Sequence, residues 1–496
     1  MQDQWIIAGV AGAYLVACLV IGLRAGKGSS ASATGYVAGD RGMGTLVMYF
    51  ITGASIFSAF AFLGAPGKAY SQGVSVLWIL AYGTLGFIPF YWLGPRAARL
   101  GRKYGFVTQA EMVAHRFDSR GLALLMALVS VLAFLPYLAL QMKGAGIVLE
   151  VVTGGVVSTE LGALLVYGVV FLYVAKSGVL GVGWTNTFQG IFMLVLAWVL
   201  GITVPTMLYG GIAPMFERLA AEKPEYLTPP GLTGSGTPWN WSEYGSTVLV
   251  LAIGFSFWPH LFMKAFTAKS SRVLQRTVVL YPTFQLFLVP LLLIGFAGIL
   301  YSNPPSQPDQ ILPHLLLHLE LHPLIVGLFC AGALAASMSS GDAILHASAS
   351  ILVRDGWISG CGKELDPEAE RRAVRMLLVP ILAGAYWMAV GGGQSLVDRL
   401  VLAYGPVGQL APVVVAALCW RGATRSGALA GLLGGTVVTV FFSLRPDFRP
   451  FAIHAGLYGI VLNVGLLVLV SKLTKPADGP SEETLEFIRA GSESGA

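Results

Sequence analysis

Charge is what this chain has least of. Lys, Arg, Asp and Glu make up only 11% of its 496 residues, where soluble domains carry roughly 25%. That deficit excludes a surface solvated by water on every side. It also argues against a nucleic-acid partner, because no continuous basic face with interleaved aromatics is available to track phosphates. Cysteine is scarce as well. Cys18, Cys330, Cys361 and Cys419 stand far apart, and no CxxC or Cys/His spacing encodes a disulfide framework or a cysteine-based metal site. There is no HExxH, no GxSxG and no suitably placed pair of catalytic carboxylates, so the reading is not that of an enzyme. The first residues, MQDQW, lack the positive stretch of a cleavable signal peptide, and Trp5–Leu23 reads as a retained span.

What the chain has instead is apolar length. Hydrophobic residues make up 55% of it and the mean hydropathy is +0.72. A span needs about 20 apolar residues, and thirteen candidates follow: 5–23, 43–66, 74–94, 122–151, 159–176, 184–210, 245–263, 277–300, 322–351, 373–391, 397–419, 426–443 and 452–471. The expected fold is therefore an all-α integral membrane protein of about 13 transmembrane helices. The 62 glycines suit close helix packing in lipid. With the N-terminus outside, 24 of the 31 basic residues fall in the loops then facing inward, among them Lys27, Lys176, Lys264 and Arg354, and five fall outside. This asymmetry predicts N-out, C-in in the plasma membrane. Residues 1–475 read as one transmembrane domain, and the polar tail, 476–496, is expected to be cytoplasmic and disordered. No obligatory protein partner is evident.

The most informative stretch is GLFCAGALAASMSSGDAILHASASILVRD in the ninth span. Ser339, Ser340, Asp342 and His346 are costly in hydrocarbon and are kept there to bind something, line a path or hold another helix. Adjacent hydroxyls with nearby carbonyls make a hard-oxygen site for a small cation. Span 2 has a core of small residues at Thr52–Ser58, and span 7 carries Gly254, Ser256 and Pro259 in mid-span. Two interrupted helices of opposite direction, five spans apart, point to an inverted-repeat transporter. The repeats would be 43–210 and 245–419, with a leading helix at 5–23 and trailing helices within 426–471.

The motifs GASIFSAFAFLGAPGKAY, GWTNTFQGIFM, FWPHLFMKAFTAKS and GQLAPVVVAALCWRGATRSGALAGLLGG, with the span 9 motif, resemble those of the sodium:solute symporter family. The resemblance spans about residues 1–475. It implies a leucine-transporter-type 5+5 core with one leading and two trailing helices, and a Na+ ion held between spans 2 and 9. The implied ligands are the carbonyls of Ala54, Phe57 and Ala336 and the hydroxyls of Ser339 and Ser340. Asp342 falls on an acidic position common in that motif. It would tune the ion site or pair with a base such as Lys143, and His346 would make a polar contact. Asn186 stands where many relatives have an aspartate tied to a second sodium, so a single sodium is expected. Ile56 stands where the proline carriers have an aspartate, which argues against proline.

The solute site is expected at mid-membrane between the interrupted helices. Ser55, Ser58, Gln141, Lys143, Phe255, Ser256, Trp258 and Gln409 are the candidate contacts, with Tyr137, His260 and Tyr404 nearby. Lys143 could meet a solute carboxylate or pair with Asp342 or Glu150. The function expected is sodium-driven uptake of a small organic acid or amino-acid-like solute. A proton-coupled symporter and a non-transporting sensor of the same fold are the alternatives.

Overall fold

The computed structural model describes residues 2–25, 33–319, 321–391, 396–476 and 479–492. Lys27 and the ends of the tail lie outside the described residues. The leading helix is α1 (Gln2–Ala25), followed by α2 (Thr45–Ile56), α3 (Ala65–Gln72), α4 (Trp78–Phe87), α5 (Phe90–Tyr104) and α6 (Gln109–Arg116). Two long helices come next, α7 (Arg120–Val152) and α8 (Thr159–Tyr209). Then come α9 (Trp241–Phe255), α10 (Pro259–Phe262), α11 (Lys264–Thr267), α12 (Ser271–Gln285) and α13 (Leu288–Gly298). Besides the shorter helices Ala33–Ala38, Ile212–Glu222 and Ile311–His318, there follow α14 (Pro323–Ile351), α15 (Pro367–Val390), α16 (Leu396–Gly408), α17 (Leu410–Cys419), α18 (Arg425–Leu444), α19 (Ala455–Leu473) and α20 (Glu482–Ser492). Among the described residues no strand is present, only two isolated bridges.

Among the described residues, eight helices are long and apolar enough to cross a membrane, or ten if each of two bent pairs counts as one span. Two of the expected spans, 159–176 and 184–210, run together as the 51-residue α8. Its break is at Gly178, with φ 56° and ψ −144°. A Cβ there would stand 2.4 Å from the Tyr36 carbonyl oxygen, so only glycine permits both the conformation and the approach.

α14 is the axis of the molecule. Every residue from Phe329 to Ile351 is buried, and the helix packs against α1, α7 and α8. With no hydrophobic driving force between helices in lipid, close approach of small residues does the packing. At Gly341 a Cβ would lie 2.1 Å from the Tyr167 hydroxyl. Leu128, Leu172, Trp184 and Trp387 face outward and are more than half exposed or close to it, as a lipid-facing belt requires.

Both predicted interruptions are present. α2 and the helical run after Ser58 are bent by 57°, and α9 and the Pro259–Thr267 segment by 42°. The second has a simple cause: Pro259 has no N–H, and its ring drives Trp258 out of the helical region, to φ −52° and ψ 122°. Near the basic end the two broken spans join, Met43 N–H donating to the Thr267 carbonyl (3.2 Å) and Lys269 N–H to the Met43 carbonyl (2.9 Å).

The tail departs from expectation. α20 is an ordered helix whose Phe487 and Ile488 are buried. Phe487 stacks on Tyr104, with ring centroids 5.8 Å apart, and Lys103 pairs with Glu486 at 2.6 Å. The segment is polar on average, but its apolar side chains share one face, and α5 offers that face a surface. Replacing Gly178 by Ala should lower the thermal midpoint, at about 1–3 kcal/mol of backbone strain. Gly168→Ala in the same helix, where a Cβ meets nothing within 4 Å, should leave the midpoint unmoved in the same melting experiment.

Candidate functional site

The first helix break has no proline. Phe57 leaves the helical region, with φ −87° and ψ 86°, and the polar groups it frees find side-chain partners. The Ser339 hydroxyl donates to the Ala54 carbonyl at 2.9 Å, and Ser340 donates to the Ser55 carbonyl at 2.9 Å. On the far side of the break, Gln141 Oε1 accepts from the Ala59 N–H at 3.0 Å and Ser58 Oγ from the Phe60 N–H at 3.2 Å. Buried backbone groups need such partners, so these side chains hold the break open as a defined structure.

Four of the five expected ion ligands therefore meet. Ser339 Oγ lies 2.9 Å from the Ala54 oxygen and 3.2 Å from the Ala336 oxygen, and Ser340 Oγ lies 3.4 Å from the Ala54 oxygen. Phe57 sits at the break, and its ring stacks on Phe284 with centroids 5.5 Å apart. All these atoms are neutral, hard oxygens in residues fully or almost fully buried, a donor set that suits an alkali cation.

The Asp342 carboxylate lies one turn further along α14. Its Oδ2 accepts from the Tyr173 hydroxyl at 2.7 Å and from Thr185 at 3.2 Å, while Oδ1 has no hydrogen-bond partner. Lys264 is a cation that bears on it electrostatically. Lys264 was expected in an inward loop, but it is buried, at 4% exposure. The hydropathy of span 7 ends one residue before it, so nothing in the pattern marks the residue after that span as buried. His346 Nε2 lies 3.1 Å from the Tyr36 carbonyl, a satisfied polar contact as expected. Asn186 donates to Ser55 Oγ at 3.2 Å and keeps its carbonyl oxygen unpartnered.

Beside the ion ligands lies a closed aromatic cage. Ile56, Tyr82, Tyr137, Trp258, His260, Leu261 and Tyr404 enclose a cavity of about 10 Å³, room for about one water. Trp258 is its centre, with Tyr137 and Tyr404 at centroid distances of 5.1 and 5.2 Å. His260 is 2% exposed and neither ring nitrogen has a hydrogen-bond partner. Tyr82, absent from the expected set, stacks on Trp78 at 5.5 Å. Trp78 in turn lines a wider chamber of about 350 Å³ with Lys68, Trp239 and Glu243. The Trp78–Tyr82 stack thus stands between that chamber and the cage.

Four expected solute contacts are placed elsewhere. Lys143 lines a separate cavity with Thr159, Glu160 and Gln307, because its position on α7 faces the end of the bundle opposite the basic loops. Ser256 donates to the Gly86 carbonyl and ties α9 to α4. Gln409 is held by α19, donating to the Gly456 carbonyl at 3.1 Å and accepting from Asn463 at 3.3 Å. Phe255 packs edge-on to Tyr82 at 5.7 Å, behind the cage. Ser55 donates to the Ile51 carbonyl, whereas Ser58 and Gln141 border the break.

With Cys361 and Cys419 replaced by Ser, a Tyr404→Cys reporter should resist a membrane-impermeant thiol reagent added on the side of the 350 Å³ chamber. Adding Trp78→Ala should speed its labelling several-fold; equal rates would show that the stack is not the barrier.

Comparison with known proteins gives a consistent picture. A family model described as the sodium:solute symporter family matches residues 36–435. An uncharacterized symporter of Bacillus subtilis, YhjB, is 30% identical over 482 residues, covering 93% of this chain and 96% of its own. A sodium/proline symporter of Staphylococcus aureus is 25% identical over 494 residues, covering 96% and 94%. Among solved structures, that of a Na+-coupled sialic acid symporter, substrate-bound and outward-open, superposes with a TM-score of 0.80 at 21% identity, covering 95% of this chain and 98% of that one.

Proposed function

This chain belongs to the sodium:solute symporter family, and from that premise we propose that it couples inward sodium movement to uptake of a small organic solute by alternating access. It is a multi-pass membrane protein, placed by this reading in the plasma membrane with its N-terminus outside. The observation that carries the reading is the pair of serine hydroxyls on the carbonyls of a broken helix. In this proposal Na+ replaces those hydrogen bonds with direct coordination by the Ala54, Phe57 and Ala336 carbonyls and the Ser339 and Ser340 hydroxyls. The 5+5 inverted repeat supplies the two bodies that rock about the site.

The solute sits in the cage, against Trp258, Tyr137 and Tyr404, with His260 as its polar anchor and Ser58 at its edge. A small organic acid or amino-acid-like solute suits these walls: the lining has an apolar body, phenol and imidazole groups, and no carboxylate. The ion and solute positions adjoin, since Ile56 of the cage lies in the chain between Ala54 and Phe57, whose carbonyls belong to the proposed ion set. By linkage, sodium must raise solute affinity by the factor that solute raises sodium affinity. With Asn186 in place of an acid, one sodium per solute is the expected stoichiometry.

The second reading, proton coupling, rests on Asp342, whose Oδ1 is buried without a partner. Uptake into proteoliposomes of labelled monocarboxylates, amino acids, sugars and sialic acid, with an inward sodium gradient or with potassium in its place, separates the two. Accumulation of one solute only with sodium is the expected result. Accumulation driven by a proton gradient without sodium would transfer the mechanism to Asp342.

Two substitutions dissect the sites. Ser339→Ala should abolish sodium stimulation while leaving weak sodium-independent solute binding. His260→Phe should raise KM for the solute with sodium binding to the solute-free protein unchanged. Retained sodium affinity in Ser339→Ala, or an unshifted KM in His260→Phe, would refute the respective assignment.

A further inference from the structure

A second cavity, remote from the ion and the cage, opens at the basic end of the bundle. It holds about 700 Å³ and is bounded by α6, the turn between α17 and α18, the end of α19 and the tail helix α20. Four cations line it: Arg116, Arg421, Arg425 and Lys475. Of its acids, Glu486 is engaged by Lys103 at 2.6 Å, while Asp118 and Glu483 are exposed at the rim. The first turns of two helices also line it, Arg425–Ser426 of α18 and Glu483–Thr484 of α20. Helix N-termini carry unpaired N–H groups and partial positive charge.

Arg116 is the telling residue. It is 8% exposed. Its Nη1 donates to Thr484 Oγ1 at 3.0 Å and its Nη2 makes only a 3.5 Å contact with the Trp420 carbonyl, while Nε is buried without a partner. Among the described residues no carboxylate lies within ion-pair distance of it. Burial alone pulls its pKa down to about 10. A buried charge without a counter-charge is expensive, and the same end of the molecule shows the compensated alternative. Arg354, also mostly buried, has Glu111 at 2.8 Å and Glu370 at 2.6 Å. The fold thus supplies two carboxylates to one buried guanidinium and none to the other, which faces a cavity lined by three more cations.

We propose that this cavity binds a phosphate-bearing anion, with Arg116 as the fixed contact and Arg421, Arg425 and Lys475 closing around it. The guanidinium fork matches phosphate oxygens. The bound anion would link α6 and the α17–α18 turn to α20, anchoring the tail. The phosphate can come from solution or from the headgroup of an anionic lipid.

The test uses the full-length protein. In detergent, inorganic phosphate is titrated against chloride at constant ionic strength, with the thermal midpoint and the heat of binding as readouts. In parallel, the midpoint is compared in nanodiscs of phosphatidylglycerol and of phosphatidylcholine. A saturable response in the first arm assigns a soluble phosphate, and a response only to phosphatidylglycerol assigns a lipid. Arg116→Gln should abolish the response. The double variant Arg421→Gln/Lys475→Gln, whose changes are at exposed positions, should weaken it several-fold and stands in if Arg116→Gln does not fold. No saturable response in either arm, or a response unchanged in the folded variants, overturns the proposal.

Discussion

Two hydroxyl-to-carbonyl hydrogen bonds between α14 and the end of α2 are the constraint on which the rest of the centre depends. A helix that stops in the middle of a membrane leaves backbone carbonyls and N–H groups with no water to receive them. Ser339 and Ser340 take the carbonyls, and Gln141 and Ser58 take the N–H groups. Because these partners come from α14 and α7, the break is fixed to the most buried helix of the molecule. The oxygens gathered there are the structural solution to a broken helix, and they are also the donor set to which the proposed function assigns the cation.

Among the buried polar groups without partners are the acceptor oxygens of Asn186 and Asp342, on α8 and α14, and the ring nitrogens of His260 at the cage. An interior that pairs most of its polar atoms leaves these groups beside the two helix breaks without partners, as it leaves Arg116 Nε at the basic end. The first set lacks a cation or a donor, and the second lacks a polar partner.

Much of this was legible in the chain. Ser339 and Ser340 announce themselves because hydroxyl pairs are conspicuous among small apolar residues, and Pro259 marks its own break by what proline cannot do. Trp258 and Tyr137, both named from the sequence, line one small cavity. The misplacements share one cause: sequence locates a residue along a helix but not around it. Lys143, Ser256 and Gln409 lie on the expected helices at plausible depths, yet each faces a different neighbour. Lys264 failed for a different reason. Hydropathy reads a basic residue at a span's edge as a loop residue, whereas the segment after Pro259 stays packed inside the protein and keeps Lys264 buried. The tail failed because an average over polar residues hides one apolar face, and because the partner surface on α5 is far away in sequence.

The reciprocal backbone bonds at Met43 and Lys269 carry a consequence for connectivity. They clip together, by a two-rung bridge, the ends of the two spans that are broken in mid-membrane. Neither broken span therefore ends freely. The segment bearing Trp258 and His260 is tied to the break after α2 through main chain and two backbone hydrogen bonds, without any chain of side-chain contacts between them.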